Sequence, residues 1–360
     1  MAAYSSGIPM QAHSRERMTP LGSTIDHAMG IGIIGAGNIV QIAHLPAYRA
    51  AGLPVVSAFD PDPVAIEAAQ RIIPEIEVAP SVEALLADDR IEFVDIATHP
   101  SIRPALVEQA LRAGKHVLSQ KPFADDIETA RRMVAVAAET GRTLAVNQNG
   151  RWAPAWHGAT QLIEDGIIGE VVAVTHEFQK YGWWGIETPF DKLEHAAIHD
   201  YAIHWIDISL VWMGGVLPRA VRARNYRTPT QPSESYTPWG AWIELEFADG
   251  RNAFVRAPGR VVGRAEAHAF EVFGTTGTLR GSELGSQALS LETFDRIEQI
   301  PLEGAWFPDA FAGPMLELQA AVREGRTPSH DATNNLLTIA TTLAAVESAE
   351  LDGIAVVPER

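Results

Sequence analysis

The sequence of 360 residues contains no cysteine, which excludes disulfide bonds, thiolate metal ligands and cysteine nucleophiles. Positive charge is also scarce, because 28 Lys and Arg residues stand against 45 Asp and Glu residues and leave a formal net charge of −17 at pH 7. A protein that binds nucleic acid needs a basic surface to neutralise phosphates, so we expect no nucleic-acid partner.

Long apolar runs are absent as well, since none approaches the roughly 18 to 20 residues that a membrane-spanning helix needs. Residues 1–28 also lack the apolar stretch of about 7 to 15 residues that a signal peptide contains. The hydrophobic fraction of 46% and the charged fraction of 20% are typical of a chain with a large buried core. We therefore expect a soluble, cytoplasmic protein without a membrane partner, and its length predicts two or three domains at about 150 residues each.

The pattern along the chain predicts a flexible arm followed by two domains of different architecture. Residues 1–29 mix Ser, Gly, Pro, His and Arg without a hydrophobic period, which indicates a flexible or partner-bound arm or an artefact of start-codon choice. Residues 30–148 alternate strand-like runs with helical patterns, which is typical of βαβ units and a parallel Rossmann sheet. The strand-like runs are 31–35, 53–60, 91–97, 115–118 and 142–146, and the helical patterns cover 38–50, 62–72, 101–113 and 128–138.

Residues 149–360 have another rhythm, in which strand-like runs follow one another with few helices between them. A hairpin turn is expected at 248–251. The runs are 171–178, 242–247, 252–256, 269–273 and 354–357, and helices are expected over 197–212, 308–323 and 332–349. This pattern predicts a C-terminal α+β domain with an open, mostly antiparallel sheet, whose last helices can pack back on the first domain.

A glycine-rich segment lies where the first strand of the N-terminal domain turns into its first helix. Gly35 permits the tight turn, Gly37 lets the backbone approach a pyrophosphate, and Val40 stands where a small residue is usual. Asp60, at the end of the second strand, can accept hydrogen bonds from the adenosine ribose and repel a 2′-phosphate. This arrangement predicts NAD as the cofactor, with NADP disfavoured; the alternative is a glycine turn beside an Asp60 that caps the next helix.

Several motifs in order along the chain resemble the Gfo/Idh/MocA family, which is named after glucose–fructose oxidoreductase, inositol dehydrogenase and a rhizopine catabolism protein. The motifs are Gly35–Ile39, Ala43–Pro46, Asp95–Thr98, Gly114–Pro122 and Asp200–Asp207, together with the turn Gly274–Gly277. The resemblance implies a homo-oligomer, a dimer or tetramer, that assembles through the open C-terminal sheet.

The sequence departs from the family pattern at two motifs. The family's Glu-Lys-Pro is Gln120-Lys121-Pro122 here, and its Thr-Pro-Asn-x-x-His stretch is Thr98–Arg103. The family's Asp-x-x-x-His pair corresponds to Asp200 and His204. The residues that we expect to bind the cofactor are Gly35, Gly37, Asn38, Ile39, Asp60, Thr98, His99, Gln120 and Lys121.

The residues at these positions suit the oxidation of a secondary alcohol, in which a base takes the hydroxyl proton while hydride leaves carbon. We hypothesise that His204 is the general base, that Lys121 polarises the oxygen, and that Asp200 orients the imidazole from the same face of a helix. Taken singly, each residue has a structural interpretation: a surface lysine at a turn, a helix N-cap and a core histidine.

The expected substrate is a sugar, an inositol or a related polyol or glycoside. His195 and His199 have the i, i+4 spacing of two zinc ligands, but no glutamate follows His195 and no third ligand is identified, so we expect pocket residues and no metal. Aromatic faces and polar groups that suit a sugar ring follow the last strand of the first domain and occur in the segment 180–194, a candidate lid. The further candidate substrate residues are Asn149, Arg151, Trp152, Trp183 and Trp184.

The sequence thus favours an NAD-dependent dehydrogenase. Two alternatives stay open: an NAD-assisted enzyme that cleaves glycosides by oxidation and elimination, and a cofactor-binding sensor without turnover.

Overall fold

The structure is a computed structural model that describes residues 29–179, 192, 194–259, 268–284 and 287–359. Residues 1–28 of the arm expected at 1–29 lie outside the described residues, and Met29 forms main-chain hydrogen bonds with the Gln319 side chain. Among the helices of the described part, none is both long and apolar enough to cross a bilayer.

A six-stranded, all-parallel sheet forms the N-terminal half, as the alternating pattern predicts. Its strands are β1 (Gly30–Ile34), β2 (Val55–Phe59), β3 (Glu77–Val78), β4 (Ile91–Ile96), β5 (His116–Gln120) and β6 (Leu144–Asn147), in the order β3-β2-β1-β4-β5-β6. Its helices are α1 (Leu45–Ala50), α2 (Pro63–Ile72), α3 (Val82–Leu86), α4 (Arg103–Arg112) and α5 (Ile127–Thr140). The sequence pattern misses β3 and α3, which are too short to carry a period of their own.

A π-helical turn at Val40–His44 opens the first helix of this half and runs directly into α1. Val40 is fully buried there, at the position where the phosphate-binding fingerprint usually has a small residue. The carboxyl ends of β1, β4, β5 and β6 meet at one edge of the sheet, and the loops that leave this edge carry most of the predicted site residues.

An eight-stranded mixed sheet forms the second half. Its strands are β7 (Val171–Phe178), β8 (Ala220–Tyr226), β9 (Gly240–Glu246), β10 (Asn252–Pro258), β11 (His268–Gly274), β12 (Thr278–Glu283), β13 (Ala288–Glu292) and β14 (Ile297–Gln299), in the order β14-β13-β12-β11-β7-β10-β9-β8. All neighbours are antiparallel except β7 and β10, which run parallel. The hairpin expected at 248–251 joins β9 to β10.

Four further helices cover this sheet and link it to the first one. They are α6 (Pro154–Glu164), α7 (Ile203–Trp212), α8 (Ala312–Glu324) and α9 (Ala332–Glu350). A second π-helical turn, Ala197–Ala202, leads directly into α7. The helix α9 packs on β8 and also on α5 and β6. Just before α9, the His330 carbonyl accepts a hydrogen bond from the Val146 amide of β6 at 3.0 Å. The sequence pattern misses α6, β8 and the strands β12 to β14.

Candidate active site

The glycine turn after β1 contains two glycines with different surroundings. Gly35 has a φ of +91°, and a Cβ atom there would lie 2.9 Å from the Ala97 carbonyl oxygen. A Cβ atom on Gly37 would meet no atom within 4 Å. The fold itself therefore requires Gly35, whereas Gly37 leaves a cradle, beside the helix start at Asn38 and Ile39, that fits a pyrophosphate.

The carboxylate of Asp60 is tied to this turn. Its Oδ2 accepts a hydrogen bond from the Ala36 amide at 2.7 Å, and its Oδ1 accepts one from the Asp62 amide at 2.9 Å. Each carboxylate oxygen can accept a further hydrogen bond, so Asp60 can brace the turn and still accept from ribose hydroxyls. The adjacent helix α2 has its own cap in the side chain of Asp62, which accepts from the Val64 amide.

Thr98 and His99 follow the end of β4 beside the glycine turn. The Thr98 Oγ1 atom is buried and has no hydrogen-bond partner among the described residues, while a Cβ on Gly35 would lie 3.0 Å from Thr98 Cγ2. His99 is exposed, and its Nδ1 lies 3.0 Å from Ser101 Oγ. An unsatisfied buried hydroxyl at the rim of the cradle is a polar group that a bound dinucleotide can satisfy.

Lys121 and Asp200 form an ion pair between the two halves of the molecule. The Lys121 Nζ donates to the Asp200 Oδ1 at 3.1 Å and to the Asp200 carbonyl at 2.8 Å. The side chains are only 17% and 5% exposed. The Asp200 Oδ2 is buried without a partner among the described residues, so this carboxylate keeps an acceptor available at the site.

His204 lies one helical turn further, at the start of α7, against an aromatic wall. Its ring meets Trp306 edge-on with centroids 5.3 Å apart, and its buried Nδ1 has no partner among the described residues. Burial, and secondly the positive charge of Lys121, hold the pKa of His204 well below its ordinary value. The imidazole is therefore neutral near pH 7 and can accept a proton.

The expected contact between Asp200 and His204 is not formed. Asp200 belongs to the π-helical turn, whose wider hydrogen-bonding period moves it out of the i, i+4 alignment of an α-helix. Its carboxylate is bonded to Lys121 instead. Asp200 therefore holds the lysine rather than the imidazole.

Arg103 fixes the two loops that border the site. Its buried guanidinium donates to the Thr98 carbonyl through Nε at 3.1 Å, to the Gln120 carbonyl through one terminal nitrogen at 2.6 Å, and to the Pro122 carbonyl. Burial among carbonyls lowers the pKa of Arg103 to about 10, so it is still charged at neutral pH. This residue occupies the place of the family's histidine in the Thr-Pro-Asn-x-x-His stretch.

Gln120, which the sequence predicts to bind the cofactor, has both ends of its side-chain amide hydrogen-bonded within the protein. It is 6% exposed, and its side chain lies between the ring of His44 and the main-chain amide of Lys121. Its hydrogen bonds therefore connect the ring of His44 to the main chain of Lys121.

His195 and His199 have different neighbours: His195 lies against Asn225 and Glu350, whereas His199 lies within reach of the charges of Lys121 and Asp200. His195 Nδ1 is 2.7 Å from the Asn225 Oδ1, and its φ is +56°. Burial lowers the pKa of His199, and the charges that act on it are those of Asp125, Asp200, Lys121 and His195. Within the described ranges, no group of three or more His, Asp or Glu side chains has a geometry that could hold a metal ion.

Three of the expected substrate residues are used inside the protein. Arg151 pairs bidentately with Asp207 at 2.6 and 2.7 Å, and Trp152 is buried against Gly313. Asn149 is buried and accepts from the Trp306 indole at 2.7 Å. These contacts favour structural roles for Arg151 and Trp152. Asn149 helps to hold the indole of Trp306 against His204. Trp183 and Trp184, with most of the candidate lid, lie outside the described residues.

Comparison with known proteins gives matches to both domains of one family. The GFO/IDH/MocA domain described as an oxidoreductase family with an NAD-binding Rossmann fold matches residues 29–148, and the GFO/IDH/MocA C-terminal domain matches residues 156–280. D-apiose dehydrogenase of Paraburkholderia graminis is 28% identical over 334 residues, which cover 88% of this chain and 86% of that protein. Inositol 2-dehydrogenase of Rhizobium meliloti is 26% identical over 325 residues, with 88% and 96% covered.

Other similarities are shorter or are limited to the fold. The chain covers 53% and 31% of the lengths of two uncharacterised oxidoreductases of Schizosaccharomyces pombe, with 32% and 36% identity in the matched segments. The crystal structure of an oxidoreductase from Agrobacterium radiobacter with NAD+, L-tartaric acid and magnesium has a TM-score of 0.79 to this chain at 23% identity. That similarity covers 92% of this chain and 98% of the other, and it shows a common fold.

Proposed function

Because the chain belongs to the GFO/IDH/MocA oxidoreductase family, we propose that it is an NAD-dependent dehydrogenase that oxidises a secondary alcohol of a sugar, an inositol or a related polyol. The observation that carries this proposal is the Lys121–Asp200 ion pair beside a neutral His204, at the sheet edge that also holds the glycine turn. When bound, the nicotinamide supplies the hydride acceptor.

The residues of the chain have separate tasks in this reaction. Lys121 presents an ammonium group whose position is held by Asp200, and it stabilises negative charge on the substrate oxygen as the hydroxyl proton leaves. His204 accepts that proton, while its aromatic wall excludes water from the ring. The proton ends on the imidazole and the substrate carbon becomes a carbonyl.

The lowered pKa of His204 predicts a specific pH dependence. The base must be unprotonated for oxidation, so activity is lost as the pH falls through the pKa of His204. Because burial lowers this pKa below 6.5, the acid limb of the oxidation rate lies below pH 6.5.

Asp60 supports NAD as the preferred cofactor. Its carboxylate braces the glycine turn and retains acceptor capacity for ribose hydroxyls, whereas its charge repels a 2′-phosphate. Replacing Asp60 by Ser removes the charge and keeps an acceptor, so the ratio of NAD to NADP affinity should fall.

The direct test is NADH formation by the purified protein with sugars, inositols, sugar acids and glycosides, each offered with NAD and with NADP. Steady NADH formation with a free sugar or inositol, and its loss by about 10²- to 10⁴-fold in His204→Asn, is the expected result. Release of an aglycone without net NADH would instead identify the oxidation–elimination enzyme, and cofactor binding without turnover of any compound would identify a sensor.

We further propose that two copies associate through the uncovered face of the second sheet. On that face Trp242 and Phe254 stack at 6.5 Å across neighbouring strands, and Phe254 remains 37% exposed. Light scattering should give at least twice the chain mass of 39.0 kDa, and a mass of one chain would contradict the proposal.

A further inference from the structure

A buried row of polar side chains lies behind Lys121, inside the Rossmann half. The Tyr48 hydroxyl donates to the Asp95 Oδ2 at 2.7 Å, and the same oxygen lies 2.7 Å from the His44 Nδ1. On the other side of the ring, the His44 Nε2 lies 3.0 Å from the Gln120 Nε2. The Gln120 Oε1 accepts from the Lys121 main-chain amide at 2.7 Å, which completes a path from the core to the site.

The direction of every hydrogen bond in this row follows from its last member. A main-chain N–H can only donate, so the amide of Lys121 fixes the oxygen of Gln120 towards itself and turns the NH₂ group towards His44. The His44 Nε2 must therefore accept, and the ring proton must sit on Nδ1, where it is donated to Asp95. Asn147 supports this tautomer, because its Nδ2 also faces the His44 Nε2, at 3.3 Å.

The surroundings of His44 contain few other charges. Asp95 is the carboxylate that faces its ring, and burial and Asp95 together raise the pKa of Tyr48 well above its ordinary value, so the phenol stays a donor. Arg103 acts on Asp95 through its charge, and Lys121 carries its ammonium group beyond Gln120. The ring of Phe311 covers His44, with centroids 5.3 Å apart.

We propose that Gln120 is a positioning residue that joins the buried Asp95–His44 pair to the main chain of Lys121 through a hydrogen-bond row in which no group exchanges a proton during turnover. The functional half of this inference rests on the proposed dehydrogenase function; the tautomer of His44 does not.

A glutamate at this position would behave differently, although it has the same shape. A carboxylate can accept from the Lys121 amide, but it has no N–H to offer to the His44 Nε2. The contact with His44 then forms only when Nε2 takes up a proton, which makes the ring a cation between two carboxylates. In Gln120→Glu, the protonation of His44 should therefore change with pH, because Nε2 must take up a proton before it can contact the new carboxylate.

The experiment uses Gln120→Glu and Gln120→Met, with Gln161→Glu on α6 as a matched control outside the row. Nitrogen-15 NMR of labelled histidine, with the His44 signals identified from a His44→Asn variant, should show the Nδ1–H tautomer of His44 in the parent protein at pH 8. In Gln120→Glu the same ring should be doubly protonated at pH 6 and lose that proton as the pH rises. The control should match the parent.

Two functional readouts separate positioning from a purely structural role. In Gln120→Glu, the dissociation constant for NADH, from fluorescence titration, should acquire a pH dependence with the same midpoint as the His44 signal. In Gln120→Met, which breaks both hydrogen bonds, kcat should fall about 10-fold with less than a threefold change in KM for the alcohol, since a misplaced catalytic group affects the chemical step most. At pH 6, Gln120→Glu should recover most of that kcat.

An unchanged His44 signal in Gln120→Glu at all pH values, or parent-like kcat in Gln120→Met, would overturn the proposal. If no alcohol is oxidised by the parent protein, the proposed function fails, while the NMR and NADH measurements still decide the role of Gln120. If Gln120→Met does not fold, the Gln120→Glu and control proteins carry the test.

Discussion

The two halves of the molecule bury polar side chains in different ways. Behind β5, in the Rossmann half, the side chains of Tyr48, Asp95, His44 and Gln120 form a continuous hydrogen-bond row that ends on the main-chain amide of Lys121. Under the second sheet, His176 is packed between Trp156 and Trp212, and neither of its ring nitrogens has a partner in the described part of the chain. The row of the first half is held in position by hydrogen bonds, whereas burial without a hydrogen-bond partner among the described residues lowers the pKa of His176 in the second half.

The proposed site takes one property from each half. Hydrogen bonds in the Rossmann half hold Lys121 in position: its amide donates to Gln120, and Arg103 donates to the Gln120 carbonyl next to it. Burial in the second half, where the ring of Trp306 contacts His204, lowers the pKa of His204. The ion pair with Asp200 is the point at which the two sides meet.

Removing the positive charge of Lys121 should have the largest effect on activity. Lys121→Met keeps the length of the side chain and removes the ammonium group, so kcat/KM for alcohol oxidation should fall about 10²- to 10³-fold. The acid limb should also move towards higher pH, because the positive charge of Lys121 helps to lower the pKa of His204. Steady-state kinetics from pH 5 to 9 measures both effects.

Two companion variants control this prediction. Arg323→Met removes an exposed cation from α8 and should leave kcat/KM unchanged. Lys121→Met leaves Asp200 buried without its cation, so adding Asp200→Asn should recover stability but not activity. A double variant that regains activity would show that the ammonium group has no part in the reaction.

Variants of the two glycines in the turn of the Rossmann half should affect different properties, namely stability for Gly35 and cofactor binding for Gly37. Gly35→Ala places a Cβ 2.9 Å from the Ala97 carbonyl at a φ of +91°, so it should lower the free energy of unfolding by about 1 to 3 kcal/mol. Gly37→Ala meets no protein atom within 4 Å, so it should keep the parent stability and weaken NADH binding. Urea unfolding and NADH fluorescence titration on both variants measure this contrast, and equal NADH affinity in Gly37→Ala and the parent would contradict the cradle.

Much of the fold is predictable because strands and turns carry local signals. The alternating pattern of residues 30–148 predicts the parallel sheet, and the turn at 248–251 predicts the β9–β10 hairpin. The short strand β3 and the strands β12 to β14 at one end of the second sheet are not predicted, since their identity depends on the neighbours that they pair with.

The site was less predictable than the fold, because side-chain direction depends on tertiary contacts. Motif spacing indicates that Lys121, Asp200 and His204 belong together, but it cannot show that a π-helical turn gives Asp200 to the lysine. Arg151 has the residue type of a substrate ligand, yet its partner Asp207 is distant in sequence. The sequence predicts that Gln120 binds the cofactor, but it does not show that this side chain hydrogen-bonds to His44, which lies 76 positions earlier in the chain.

The last and smallest expected effect is on the stability of the protein in acid, and it tests the role of burial under the second sheet. Burial lowers the pKa of His176 to about 3, whereas its value in the unfolded chain is about 6.5. Between these values the unfolded chain binds a proton that the folded protein does not, so the free energy of unfolding falls as the pH falls, by up to about 1.4 kcal/mol per pH unit. His176→Phe should reduce this slope between pH 6 and 4 in urea titrations, because phenylalanine fills the stack without titrating.

Glu283, also buried in this half, supplies a control of opposite sign. Burial raises its pKa to about 7 although the amides of Ala155 and Trp156 donate to it, so its contribution to stability is lost as the pH rises from 4.5 to 7. Glu283→Gln keeps an acceptor for those amides and should change the slope only in that direction. If both variants changed the pH dependence in the same sense, burial would not be what sets proton affinity under the second sheet, and the lowered pKa of His204 would need another cause.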